Sequence, residues 1–187
     1  MTFRRNIPLY IGVFLVSATS LMLEISLTRV FSVSLWYQFG FMIISTALLG
    51  FGASGTYLAV RKGALTGDLP RKLARNAALY SLSILAAFFV MTRIPLDPLK
   101  PLLPETTNTG AATFELIAWL LAYYVLIIIP FFFGGLTLGT ALSAGAKEIG
   151  NLYFADLIGA GLGALGVVLA LYQLPGQGAV VLAATVA

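Results

Sequence analysis

The sequence predicts an all-α integral membrane protein, a polytopic helix bundle with five full spans, an incomplete sixth and a cytoplasmic N-terminus. Three observations carry this. Of 187 residues, 59% are hydrophobic and only 10% are charged, against about 25% charged in soluble domains. A mean hydropathy of +0.97 leaves too little polar surface to cover a globule in water. Finally, Lys and Arg fall mainly at the ends of long apolar runs. Disorder is excluded by 13 Phe, 8 Tyr and 2 Trp set among aliphatic residues.

A hydrocarbon core of about 30 Å takes roughly 20 helical residues at 1.5 Å each. The first run that long covers residues 8–33 and the second 39–60, with Trp36-Tyr37-Gln38 between them. An aromatic pair there suits the headgroup level. Further spans are expected over 77–92, 114–142 and 152–172. The last run, 178–187, is half a span, so a longer protein is expected to continue beyond it.

Orientation follows from the basic residues. Arg4 and Arg5 precede the first span, Arg61, Lys62, Arg71, Lys72 and Arg75 separate the second and third, and Lys147 separates the fourth and fifth. Placing those segments inside puts eight of the 11 basic residues in the cytoplasm, with Arg93 and Lys100 outside. A cleavable signal peptide fits the first 30 residues poorly: the apolar run is too long, contains Glu24 and lacks an Ala-x-Ala site. The outer loop carries Pro95, Pro98, Pro101 and Pro104 at intervals of three, the polyproline II period, and reads as a stiff connector. The basic residues form no stripe with aromatics, which argues against a nucleic-acid face. With no Cys and no His, thiolate chemistry and imidazole proton shuttles are excluded and no metal site is expected.

Polar residues inside the spans are the candidate sites. Ser17, Ser20, Glu24 and Thr28 fall within a strip about 80° wide on a helix, giving the first span one polar edge. A carboxylate there costs about 2.5–3.5 kcal/mol against lipid and must face protein or water. It reads either as a binding or proton-relay group or as a structural contact satisfied by a neighbouring span. Arg29 lies about 140° around the helix from Glu24, so an intrahelical pair is not expected. Asp156 is the second intramembrane acid, about 6 Å inside its span, with Tyr153 near the same face. Glu24 lies about 25 Å up the first helix, a different depth, which excludes an acid–base dyad.

Gly135 with Gly139, and Gly159 with Gly163, form small-xxx-small ridges that admit close helix approach, and Gly50, Gly52 and Gly55 smooth the end of the second span. Asp156 heads the Gly159–Gly163 face, pointing to a tight contact with a polar end. The run from Gly161 to Gly166 matches GxGxxG, but no strand precedes it and no acidic residue follows at the required distance, so nucleotide binding is not expected.

Leu23-Glu24-Ile-Ser-Leu-Thr-Arg29, followed by a second span ending in Leu49-Gly50-Phe-Gly52, resembles the opening of membrane-anchored spermidine-synthase-like proteins. Tyr153-Phe-Ala-Asp156-Leu-Ile-Gly159-Ala-Gly-Leu-Gly163, with Leu174-Pro175-Gly176, resembles that family's later helix pair, while Leu27 stands where relatives often have Trp. The resemblance implies a module of the bacterial inner membrane that anchors a downstream cytoplasmic aminopropyltransferase-like domain. That domain would take decarboxylated S-adenosylmethionine; by charge complementarity, Glu24 and Asp156 would be anionic contacts suited to a polyamine cation. The resemblance carries Glu24, Arg29, Tyr153, Asp156, Gly159 and Gly163 over as family-matching positions and assigns none of them a catalytic role. Two other readings stand beside it: half of a transporter of the major-facilitator type, and an assembly subunit without a ligand.

Overall fold

The computed structural model describes residues 3–34, 38–61, 67–93, 109–173 and 176–187. Trp36-Tyr37, Lys62, Lys100, the Pro95–Pro104 stretch and Leu174-Pro175 lie outside the described residues, as do the side chains of Arg4, Arg5, Gln38 and Lys147. The described residues form six helices: α1 (Phe3–Ser34), α2 (Gln38–Val60), α3 (Leu69–Met91), α4 (Thr109–Ala144), α5 (Ile149–Gln173) and α6 (Gly176–Val186), with a 3-10 turn over Ala146–Glu148 before α5. The first five are each long and apolar enough to cross a membrane.

Three helices begin well before the apolar runs that marked them. α3 starts at Leu69, eight residues before 77, because Asp68 caps it by accepting from the Arg71 N–H and Pro70 sits in its first turn, where a missing N–H costs nothing. α4 likewise starts at Thr109 and α1 at Phe3. Apolarity locates lipid, whereas capping and turn chemistry locate the helix end, and here the two are up to two turns apart. α4 runs for 36 residues, about 54 Å. That exceeds the hydrocarbon thickness, so the helix must tilt or extend into the interface. It also carries Pro130 inside, buried, which removes one backbone hydrogen bond.

Helix α1 is the hub. It packs most extensively on α5 and also touches α2, α4 and α6; α4 in turn packs against α2 and α3. Of the α1 span, 56% is buried, against 17% for α5. The reason lies in its sequence: a helix with serines, threonine and glutamate along one edge loses least by turning that edge to other helices. Its remaining faces supply Val16, Leu23 and Leu27 to a core shared with Ile43, Tyr80, Ile127 and Phe131.

The helix directions alternate. Gly159 lies against Phe14 and Gly163 against Ala18, so numbers rise together and α1 and α5 are parallel. The same test makes α2 and α4 parallel, with Gly50 against Phe131, Gly135 against Ser54 and Gly139 against Leu58. Between α3 and α4 the numbers run oppositely: Tyr80 lies at Gly134, and the Tyr123 hydroxyl donates to the Met91 carbonyl at 3.0 Å. This is the pattern of a chain that crosses back and forth five times.

The polar edge of the first helix as candidate site

The polar edge of α1 meets a different helix at each height. At its lower end Ser17 donates a hydrogen bond to Oδ1 of Asp156 on α5. Two turns below, Tyr10 donates to Oε2 of Glu148 in the 3-10 turn before α5, a second acid–hydroxyl contact at the foot of the α1–α5 seam. Ser20 donates to the Val16 carbonyl at 2.7 Å and lies 3.2 Å from the hydroxyl of Tyr80 on α3. Tyr80 is fully buried, and Gly134 of α4 leaves room for its ring: a Cβ there would sit 3.2 Å from Tyr80 Cε2. At the upper end Thr28 donates to the Glu24 carbonyl at 2.8 Å, and its methyl lies against Gly40 of α2.

Glu24 occupies the middle of this edge. Ser17 is covered by α5 and Thr28 by α2, while α2 and α5 have no substantial contact with each other. Glu24 lies between these two contacts along α1. Its side chain is half-buried, and among the described residues no hydrogen bond or ion pair reaches its carboxylate. Arg29 is exposed and does not pair with it.

The second acid differs. Asp156 is half-buried and already holds the Ser17 hydroxyl. Because α5 begins at Ile149, Asp156 sits seven residues into its helix, about 10 Å from the helix start. Its Ser17 partner is seven residues below Glu24, so the two carboxylates are offset by about 10 Å along α1. That offset is shorter than the span limits implied and still too long for a shared proton. Tyr153 is 55% exposed and is not drawn into the Asp156 contact. Among the described residues no three His, Cys, Asp or Glu side chains come together as a metal site would require.

The glycines sort into two kinds. A Cβ on Gly159 would strike the Phe14 carbonyl oxygen, and one on Gly163 the Ala18 carbonyl oxygen. One on Gly50 would sit 2.6 Å from Phe131 Cβ, and one on Gly139 would sit 2.7 Å from Leu58 Cδ1. Gly135 is packed equally closely on Phe51 and Ser54. Gly52 and Gly55, in contrast, face open space, so only Gly50 of that trio packs against a helix. In the GxGxxG run, Gly161 and Gly166 also face open space, and the whole run lies inside α5. No helix N-terminus is offered to a pyrophosphate.

Tyr80 and Tyr10 lie outside the polar residues that the sequence marks as candidate sites. For Tyr80 a signal exists: Asn76, Tyr80, Ile84, Ala87 and Met91 recur every three or four residues and form the buried face of α3. For Tyr10 none was available, since its acid partner is 138 positions away. The fold and this edge define an integral membrane helix bundle organised around a polar central helix. Comparison of the chain with family models, curated proteins and solved structures gives no match.

Proposed function

We propose that this bundle is the membrane module of a spermidine-synthase-like protein and that Glu24 offers an anionic contact to an ammonium group of a polyamine. The observation behind this is that Glu24 is half-buried within α1 and that among the described residues no hydrogen bond or ion pair reaches its carboxylate. An unpaired carboxylate inside a span is costly, and a cation bound beside it offsets that cost. A primary ammonium brings three donors to an acceptor-only group. Asp156, already engaged by Ser17, serves the α1–α5 contact in this reading. The module sits in the bacterial inner membrane with its N-terminus inside, following the distribution of Lys and Arg, and holds a downstream aminopropyltransferase-like domain at the cytoplasmic face. That domain would use decarboxylated S-adenosylmethionine.

The test is spermidine binding to the detergent-solubilised full-length protein by calorimetry. Glu24→Gln is expected to weaken binding about tenfold or more, the scale of one charge-assisted contact, while Asp156→Asn leaves it within twofold. Unchanged affinity in Glu24→Gln overturns the cation-binding reading. Sequence downstream of Ala187 separates this reading from the transporter-half alternative: a soluble α/β domain supports the first, and a second bundle of about six spans the other.

A further inference from the structure

At the end of α2 an arginine stands at the head of an apolar groove. The Arg61 guanidinium donates from Nη1 to the Tyr57 hydroxyl at 2.5 Å, with its Cζ 5.5 Å from the centre of the Tyr57 ring. Tyr57 in turn meets Phe132 of α4 edge-on, with centroids 5.9 Å apart. The guanidinium is thus pinned by a residue that is itself braced against the bundle. One of its five N–H donors is used. Arg61 is exposed, and among the described residues no carboxylate pairs with it.

Below it lies a shallow groove of about 630 Å³ between α2 and α4, walled by Ala53, Thr56, Val60 and Phe132 along with Tyr57. Thr56 has turned its hydroxyl back to the Gly52 carbonyl at 3.0 Å, which leaves its methyl as the outward surface. The groove is therefore apolar along its length and cationic at one end. It opens on the outer surface of helices long and apolar enough to cross a membrane, the side that lipid would face. Arg71 and Arg75, both exposed in the first turns of α3, add positive charge at the same end of the bundle.

We infer that this groove holds one anionic phospholipid, its phosphate on Arg61 and one acyl chain along Ala53, Val60 and Phe132. Charge complementarity selects the headgroup. A zwitterionic lipid brings its own cation to the phosphate and gains less from a fixed guanidinium than a lipid with net negative charge. The inference stands independently of Glu24, which lies on another helix.

The experiment is native mass spectrometry of the purified chain, delipidated in detergent and offered equimolar phosphatidylglycerol and phosphatidylcholine. The wild type is expected to retain phosphatidylglycerol preferentially. Arg61→Gln is expected to cut that preference about fivefold, the factor for one basic side chain at an anionic headgroup. Ala53→Trp, which fills the groove, lowers retention of both lipids, and Arg29→Gln, an exposed cation elsewhere, leaves the preference unchanged. Excess inorganic phosphate does not displace the lipid if the chain contributes to binding. Equal retention of the two lipids by the wild type, an unaltered preference in Arg61→Gln, or an equal loss in Arg29→Gln overturns the proposal.

Discussion

Helix α5 carries its own controls for the close contact with α1. Gly159→Ala and Gly163→Ala place a methyl group on the backbone of α1. For Gly163 the added carbon would lie 2.6 Å from Ala18 Cα and 2.7 Å from Ala18 C, against about 3.5–4.0 Å for comfortable carbon contacts. Backbone cannot rotate away as a side chain can, so α1 and α5 must part by about 1 Å. For Gly159 the Phe14 Cα and C atoms would both be 3.0 Å away, behind the carbonyl oxygen that lies nearer still. Overpacking of this kind costs about 1–3 kcal/mol, and the parting also stretches the Ser17–Asp156 hydrogen bond beside it. Gly161→Ala and Gly166→Ala make the same chemical change in the same helix, with nothing within 4 Å of the new methyl. There the only effect is better helix propensity, up to about 1 kcal/mol in favour of Ala. The assay is SDS-induced unfolding in mixed micelles followed by circular dichroism. Both seam variants are expected to unfold at lower SDS fraction and both outward variants at an equal or higher one. If Gly161→Ala costs as much as Gly163→Ala, the α1–α5 interface is not where it has been placed.

Tyr80→Phe keeps the buried ring and removes only the hydroxyl beside Ser20. It is expected to cost about 0.6–1 kcal/mol in the same unfolding assay; a loss above about 3 kcal/mol would mean that the ring, not the hydroxyl, had been disturbed. Asp156→Asn keeps an oxygen to accept from Ser17 and is expected to lie within about 1 kcal/mol of wild type, whereas Asp156→Ala leaves the Ser17 hydroxyl unpaired at the seam and costs about 1–2 kcal/mol. Equal effects from the two substitutions would show that the Ser17 contact contributes nothing.

Hydropathy makes the class of fold legible because lipid is a uniform solvent that demands long apolar helices with all backbone bonds made internally. The Gly159–Gly163 spacing marks a close approach for a similar reason: a smooth ridge has little other use in a span. Neither reveals which helix is met. Gly159, Gly161 and Gly163 look alike in sequence, yet only the first and third touch α1, since i and i+4 share a helix face and i+2 does not. The helices begin at Leu69 and Thr109, ahead of the apolar runs at 77 and 114, because helix ends are set by caps and turns that hydropathy does not register. The candidate site was half-legible. The strip from Ser17 to Thr28 gives the polar edge, but that Asp156 covers one end, Tyr80 meets Ser20 and Gly40 covers the other end depends on contacts more than 100 residues apart for α5, 60 apart for Tyr80 and on the α1–α2 hairpin for Gly40. Periodicity within one helix holds no record of such pairings.

The central claim is that these helices cross a bilayer in alternating directions, and the absence of native cysteine makes the direct measurement clean. Single cysteines at Arg71, Asn151, Arg93 and Leu82 are probed with a membrane-impermeant maleimide in intact cells and in opened membranes. Arg71→Cys and Asn151→Cys are expected to react only after opening and Arg93→Cys from outside, while Leu82→Cys, 62% exposed yet mid-span, stays unreactive until the membrane is dissolved. Labelling of Leu82→Cys as fast as Arg71→Cys in opened membranes would put water where lipid is required and contradict the account.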